Sequence, residues 1–279
     1  MQDLKTLIEL LTKGRCVHIS ILDLDGILSS RHTSIPVRST IHSKPFCDAA
    51  KSTEAGLRRC LDCKGHANKR AVEGKLCFSG HCPWGLYEAA TPVIRQGSVS
   101  AIVYVGNYIL NEEKTRAYIS RSARLTGVDE KTVLSHLGEC EYSSDPEEAF
   151  KIGEIVRDYI LALIKTEEPE SSSLHWLTVK MKRHAEEFYT SDISLKYLAR
   201  IYHKNEKYMG RIFRRDIGMS FGEYCLSLRL DRAEELLRAR EEKIIDIALS
   251  LGFNNVSYFN RVFKARCGVS PTEYRARNA

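Results

Sequence analysis

The chain has 279 residues, 43% of them hydrophobic and 28% charged, enough apolar side chains for two ordinary cores. That composition excludes a disordered polypeptide, a collagen-like repeat and a disulfide-dense miniprotein. The formal charge of +6 is laid down unevenly: residues 174–279 hold 20 basic and 13 acidic side chains, whereas residues 1–173 hold 22 and 23. A basic block on an otherwise balanced chain is the electrostatic footprint of a nucleic-acid or anionic-surface binder. The most apolar run, residues 101–110, falls well short of the ~20 residues needed to cross a bilayer. The first residues lack the apolar core of a signal peptide. No membrane partner is therefore expected, and the location is read as cytoplasmic, where the nine cysteines would remain thiols or metal ligands.

In chain order, residues 3–12 carry helical period, and residues 15–22 alternate as a strand. Asp23-Leu-Asp-Gly26 signals a tight turn, with residues 27–30 expected as the returning strand of a hairpin. Residues 53–73 read as a helix stopped by Gly74. Residues 76–78, 86–94 and 99–110 read as three further strands, the last two joined by Gln96-Gly97. Asn111 caps a helix, and residues 146–164 form another with Ile152, Ile155, Val156, Tyr159, Ile160 and Leu163 on one face. That stripe either packs into its own domain or pairs with a second subunit in a homodimer. Residues 1–165 are thus α+β, an antiparallel sheet flanked by helices. A polar run with proline, residues 166–173, reads as a linker, and residues 174–279 are predicted to be all-α.

The last third repeats itself at a separation of fifty residues. Tyr208, Arg211, Phe213, Gly218, Ser220, Glu223 and Tyr224 recur as Tyr258, Arg261, Phe263, Gly268, Ser270, Glu273 and Tyr274. Upstream of each copy lies a short amphipathic stretch, residues 195–201 and 244–251, then a turn, a second helix and a glycine stop. Helix, short turn, helix is the unit whose second helix enters the major groove of DNA. Met209, Ile212 and Phe213 belong in the core of the first copy, which leaves Lys207, Gly210, Arg211 and Arg214 outward. In the second copy Phe259, Val262 and Phe263 are core, and Val256, Ser257, Asn260, Arg261 and Lys264 face out. Arginine suits the O6/N7 edge of guanine, asparagine suits adenine, and Val256 suits a thymine methyl. Arg214, Arg215 and Lys264 suit phosphates, which position without specifying. Residues 220–239 read as one helix about 30 Å long, close to the ~34 Å between successive major-groove faces on one side of a duplex.

Residues 175–277 resemble the double helix-turn-helix DNA-binding domain of AraC/XylS-type transcription regulators. The segments that carry the resemblance are residues 213–218, Leu228-Arg-Leu-Asp-Arg-Ala-Glu-Glu-Leu-Leu237, residues 247–253, Tyr258-Phe-Asn-Arg-Val-Phe-Lys264, and Gly268-Val-Ser-Pro271 with Tyr274. The resemblance implies binding to double-stranded promoter DNA, activation through contact with RNA polymerase, and control by a separate N-terminal domain. Gly210 stands where members often carry a base-reading side chain, so the first unit is expected to read DNA more weakly than the second.

The signal should enter through residues 1–165. Cys47, Cys60, Cys63, Cys77 and Cys82 fall within 36 residues, and Cys60 and Cys63 lie one helical turn apart. Four thiolates, Cys47, Cys60, Cys63 and Cys82, would suffice for zinc or an iron-sulfur cluster; a redox sensor and a set of small buried hydrophobes are the competing readings. The order of elements resembles a PAS-like sensor, and more narrowly the PocR-type ligand-binding domain, on Pro45-Phe-Cys47, Gly56-Leu-Arg-Arg-Cys60, Cys82-Pro-Trp-Gly-Leu86, Ala89-Ala-Thr-Pro-Val93 and Val105-Gly106. That resemblance implies a small-molecule effector, a polar hydrocarbon derivative such as a diol. His81-Cys82 departs from the Cys-His order of the type. A small amphiphile wants an aromatic wall and a few polar groups; Trp84, Tyr87, Glu88 and Tyr104 are the candidates.

Two enzyme-like readings compete with this regulator. Asp23-Leu-Asp-Gly26 resembles the nucleophile motif of haloacid-dehalogenase-type phosphatases, which also need a late acidic pair for magnesium; the chain has no Asp-Asp pair. An Ada-like cysteine methyl acceptor ahead of the same kind of DNA reader is the other, and the sheet expected between the cysteines and the linker speaks against it. The chain is read as a regulator and not an enzyme.

Overall fold

The computed structural model describes residues 3–28, 33, 35, 44–166, 174–191, 193–239 and 242–278. The chain divides into two compact units, residues 1–176 with 200–204, and residues 177–199 with 205–279. The expected linker lies outside the described residues except for residue 166.

The first unit is built on a five-stranded sheet in which β1 (His18–Asp23), β4 (Ser98–Ile109), β3 (Tyr87–Arg95) and β2 (Phe78–His81) are neighbours in that order, all antiparallel, while β5 (Glu141–Tyr142) adds to β4 in parallel. The last three long strands form the expected meander. Gln96 and Gly97 close the β3–β4 turn at φ 47° and 76°, the paired positive φ that matches the twist of a two-residue hairpin. The hairpin expected after residue 22 does not form. The Asp23 carboxylate accepts the amides of Gly26, Ile27 and Leu28 at 2.8, 3.0 and 3.1 Å, which curls the chain into a turn where the returning strand was expected. The edge of β1 pairs instead with β4, from His18 opposite Gly106 to Asp23 opposite Ala101. Residues 29–30 lie outside the described residues.

α1 (Leu4–Thr12), capped by Asp3, and α6 (Glu147–Thr166) cover one face of the sheet. Ile152, Val156, Ile160 and Leu163 of α6 are buried against Ile19, Ile21, Val93, Val103 and Val105, so this stripe belongs to the domain's own core. Ile155, expected on the stripe, is 49% exposed. Gly153 lets the helix touch the sheet, because a Cβ there would overlap Thr91 Oγ1 of β3. Arg15 ties the crossing together, bonding Glu141 of β5 at 2.7 Å and Glu148 of α6 at 2.9 Å.

α3 (Glu54–Gly74) packs against β3 and β4. Its left-handed cap is Lys75 at φ 52°, one residue beyond the glycine expected to stop it. α2 (Pro45–Ala50), α4 (Glu112–Thr126, capped by Asn111) and α5 (Glu130–Ser135) gather a second apolar cluster around Phe46, Trp84, Leu86, Ile119 and Val133. Helices of six residues such as α2 and α5 carry too few turns for periodicity to reveal them.

The second unit is helical, with no strand among the described residues. α7 (Trp176–Phe188) precedes two helix-turn-helix pairs, α8 (Leu195–Ile201) with α9 (Glu206–Ile217) and α11 (Ile244–Ser250) with α12 (Val256–Cys267); α10 (Phe221–Ala239) joins the pairs and α13 (Pro271–Asn278) ends the chain. The fifty-residue repeat extends to the hydrogen bonds. Asn205 and Asn255 cap α9 and α12 by accepting the amides of Tyr208 and Tyr258, both at 3.1 Å. Gly218 and Gly268 end them at φ 84° and 77°, a conformation glycine adopts without a Cβ penalty. Ser220 with Glu223 and Ser270 with Glu273 form reciprocal capping boxes on the next helices. The Phe213 and Phe263 rings meet Tyr224 and Tyr274 edge-on at 5.6 and 5.3 Å.

Candidate nucleic-acid interface and sensory cavity

On α9, Met209, Ile212 and Phe213 are buried, and Lys207, Arg211, Arg214 and Arg215 are exposed. Arg215 is tied down: its Nε lies 2.7 Å from Asp216, whose other carboxylate oxygen accepts from Thr178 of α7. On α12, Phe259 and Phe263 are buried, and Ser257, Asn260, Arg261 and Lys264 are exposed. Val256 departs from its expected outward place. As the first helical residue it sits half-buried and packs against the cluster of Ile247, Leu251, Phe253 and Phe259. Gly210 is half-buried, and a Cβ there would stand 3.1 Å from Leu195 Cδ2, so the glycine serves the close crossing of α8 and α9. The 19 residues of α10 span about 28 Å at 1.5 Å per residue. Arg266 is exposed but paired with α10, its Nε 3.3 Å from Glu234 and a second ion pair made to Asp231.

Two aromatic residues in the repeat, Tyr208 and Tyr258, are 39% and 41% exposed at the start of the second helices. Sequence patterning by face did not single them out. Their recurrence in register was the available signal.

In the first unit, Trp84, Tyr87 and Glu88 line one cavity of ≈ 30 Å³, together with His18, Phe46, Cys47, Cys60, Cys82 and Asn107. That volume suits one or two water-sized groups. Trp84 is 2% exposed and its indole Nε1 has no hydrogen-bond partner among the described residues. The Glu88 carboxylate lies 3.1 Å from Lys64 Nζ of α3. Asn107 interrupts β4: Tyr87 pairs with Tyr108 and Glu88 with Gly106, which leaves Asn107 out of register at φ 74°. Its amide donates to the carbonyls of Cys16 and Glu139, both at 3.1 Å. Bulges of this kind re-aim side chains beside functional sites. Tyr104, expected with this group, does not line the cavity. It points to α3, where its hydroxyl donates to Asn68 at 2.5 Å and Lys64 Nζ covers its ring at 3.1 Å.

The four candidate metal thiols are divided. Cys47, Cys60 and Cys82 line the Trp84 cavity, whereas Cys63 lines a separate open groove of ≈ 790 Å³ with Arg58, Arg59 and Asp62. Burial pushes Cys47 and Cys82 well up, reinforced by neighbouring thiols, raises Cys60, and pushes Cys63 up to about 11. Neutral thiols of that kind behave as small apolar groups. Among the described residues no three His, Cys, Asp or Glu side chains stand together as a metal-binding group. The aspartate of the phosphatase-like motif, Asp23, is buried and spent on its turn amides.

The family described as the sensory domain found in PocR matches residues 1–165, and a helix-turn-helix domain family matches residues 198–277. The HTH-type transcriptional activator RhaR of Yersinia pseudotuberculosis is 40% identical over 83 residues, 29% of this chain and 29% of RhaR. The uncharacterized HTH-type transcriptional regulator YfiF of Bacillus subtilis is 31% identical over 112 residues, 40% of this chain and 35% of YfiF. The chain thus spans about a third of the length of these curated relatives. Among solved structures, the C-terminal domain of AraT, a response regulator from Geobacillus stearothermophilus, is 28% identical, covers 38% of this chain and 88% of its own, and has a TM-score of 0.37. Matched over more than half of its length by the PocR sensory domain and over most of its last third by the helix-turn-helix domain, the chain belongs to the AraC/XylS-type family that carries a PocR-type sensory domain.

Proposed function

We propose that this chain is a sequence-specific DNA-binding transcription regulator, an activator, governed by a small molecule at its sensory domain. The observation that carries the reading is the pair of helix-turn-helix units, capped alike at a fifty-residue interval, each with an exposed cationic face on its second helix. Arg211, Ser257, Asn260 and Arg261 read base edges, and Val256 adds only its outward edge. Lys207, Arg214, Arg215 and Lys264 hold phosphates. The chain acts as a homodimer on promoter DNA and contacts RNA polymerase there. The effector is a small diol-like molecule at Trp84, Tyr87 and Glu88. The buried indole donor supports a ligand oxygen at that wall, and the ≈ 30 Å³ volume requires the cavity to open around it.

Selection of duplexes from a randomised pool by the full-length protein tests the first part. The expected outcome is one enriched sequence with two elements about one helical turn apart. Arg211→Ala and Arg261→Ala should each cost roughly 1–3 kcal/mol at one base position and relax preference there. Equal weakening on every sequence by both variants would overturn the base-reading assignment. A panel of small vicinal diols tests the second part: one of them should raise the unfolding midpoint of the wild-type protein and leave that of Glu88→Ala unmoved.

A further inference from the structure

The two helix-turn-helix units differ in the turn between their helices. From the left-handed residue to the cap, the first turn runs His203, Lys204, Asn205, and the second runs Gly252, Phe253, Asn254, Asn255. The second turn has one residue more, and the added length carries an aromatic ring inward. Phe253 is 2% exposed. Its ring lies 5.0 Å from Phe259 and 6.3 Å from Tyr258, tilted to both.

Phe253 is also met by Arg229 of α10, whose guanidinium carbon stands 5.7 Å from the ring centroid. Arg229 is itself immobilised by three backbone carbonyls: its Nε donates to Tyr189, its Nη1 to Gly252 and its Nη2 to Ser191, at 2.6, 3.0 and 2.9 Å. Tyr258 in turn carries the guanidinium of Arg261 over its ring, at 5.3 Å. Arg229, Phe253, Tyr258 and Arg261 therefore form a row of two adjacent rings with a cation at each end, anchored at α10 and ending on the exposed face of α12. Tyr208 and Arg211 occupy the matching places in the first unit, and no cation–ring contact joins them among the described residues.

We infer that Tyr258 is a positioning residue for Arg261: its ring, backed by Phe253, holds the guanidinium in place before DNA arrives and makes the second unit the one that sets sequence specificity. The chemistry is general. A guanidinium over a ring face is attracted by the ring quadrupole, and a side chain already ordered loses less freedom when it binds. Arginine recognises guanine through two parallel hydrogen bonds, so its planar fork must arrive in one orientation. The hydroxyl of Tyr258 has no part in this, whereas the ring is essential. The inference rests on the proposed DNA-binding function.

The test uses the full-length protein and the duplex it selects from a randomised pool, compared with duplexes changed at each single base pair. Tyr258→Phe keeps the ring and should bind like wild type. Tyr258→Leu keeps an apolar side chain against Phe253 and removes the ring face. It should lose roughly two- to fivefold of the discrimination at the one base pair that Arg261→Ala also affects, with the other positions unchanged. The double variant Tyr258→Leu/Arg261→Ala should discriminate no worse than Arg261→Ala alone, because the ring acts only through the arginine. Equal losses in Tyr258→Phe and Tyr258→Leu would assign the effect to the hydroxyl and overturn the inference, as would independent losses that multiply in the double variant. A uniform loss on all duplexes by Tyr258→Leu would mark a merely structural role. If the wild-type protein enriches no sequence, the DNA-binding function fails and the positioning role falls with it. Intact wild-type discrimination that Tyr258→Leu leaves untouched overturns the positioning role alone.

Discussion

In the helical unit the groups assigned to DNA stand in solvent on a saturated core. Arg211, Arg261 and Lys264 are exposed, and the helix ends beneath them are closed by Asn205, Asn255, Gly218 and Gly268. In the sensory unit the relation is reversed: Trp84 is closed off with an indole donor that has no partner among the described residues, beside a half-buried Glu88–Lys64 pair and three neutral thiols. The contrast follows from the two partners. A phosphate backbone attracts by charge over a distance and needs its contacts outside. A molecule of a few heavy atoms has little surface to offer, so its recognition depends on removing water from an enclosed wall with unmet hydrogen-bonding capacity.

The largest effect that separates the two units is expected at Gly252. A Cβ there would overlap the Thr190 carbonyl oxygen, and the residue sits at φ 80°. Gly252→Ala should destabilise the helical unit by roughly 3 kcal/mol or more, read as a lowered unfolding transition that DNA binding follows while the sensory unit keeps its own. A single unchanged transition for both units would break the comparison.

Charge removal on the outer face comes next. Arg214→Ala and Lys264→Ala should each weaken binding alike on all duplexes and reduce the slope of log affinity against log salt by about 1. Diol-induced stabilisation of the sensory unit should not change. A sequence-dependent loss in either variant would move that residue from phosphate to base contact.

The pH response should separate the units in opposite directions. His184, buried in the helical unit, is held down to about 3 by burial and then by the charge of Lys180. Its folded value lies below its ordinary 6.5, so the stability it contributes is present above 6.5 and is lost as pH falls toward 3. Cys63 in the sensory unit is pushed up from 9.0 to about 11 by burial. Its contribution is present below 9 and is lost as pH rises through 11, with Cys47, Cys60 and Cys82 adding in the same direction. Unfolding followed from pH 7 to 5 should therefore weaken the helical unit in wild type and less so in His184→Gln. From pH 8 to 11 the sensory unit should weaken, with Cys63→Ala less sensitive.

The smallest effect on stability is expected at Trp84. Trp84→Phe removes a buried donor that has no partner among the described residues, so the sensory unit should stay within about 1 kcal/mol of wild type or gain slightly. The diol response of the unfolding midpoint should disappear. A retained response in this variant would place the ligand elsewhere.

Where the relevant physics is local, the sequence was a sufficient guide. Caps, glycine stops and amphipathic faces are decided within a turn or two of helix. The repeat from Tyr208 to Tyr274, α10, α4 with its Asn111 cap, and the β3–β4 turn at Gln96-Gly97 were all legible for that reason. The candidate cavity was legible in part. Trp84, Tyr87 and Glu88 do converge, but Tyr104 does not line the cavity and its hydroxyl is held by Asn68.

What the sequence determined by itself was the type of each long element, the existence of two related helix-turn-helix units, and which faces of α9 and α12 are charged. Those properties follow from side-chain period and from short-range hydrogen bonds. Only the tertiary structure decided which strand β1 would join, because an Asp23 carboxylate saturated by three turn amides leaves the edge to β4, nearly eighty residues further on. It also decided that the stripe of α6 packs on its own sheet, with Gly153 allowing the approach at Thr91. It divided the cysteines between a closed cavity and an open groove, since Cys60 and Cys63, one turn apart on α3, line different sites. And it distinguished the two repeats, through one added residue that brings Phe253 beneath Tyr258, a contact set by packing across the turn that no periodicity encodes.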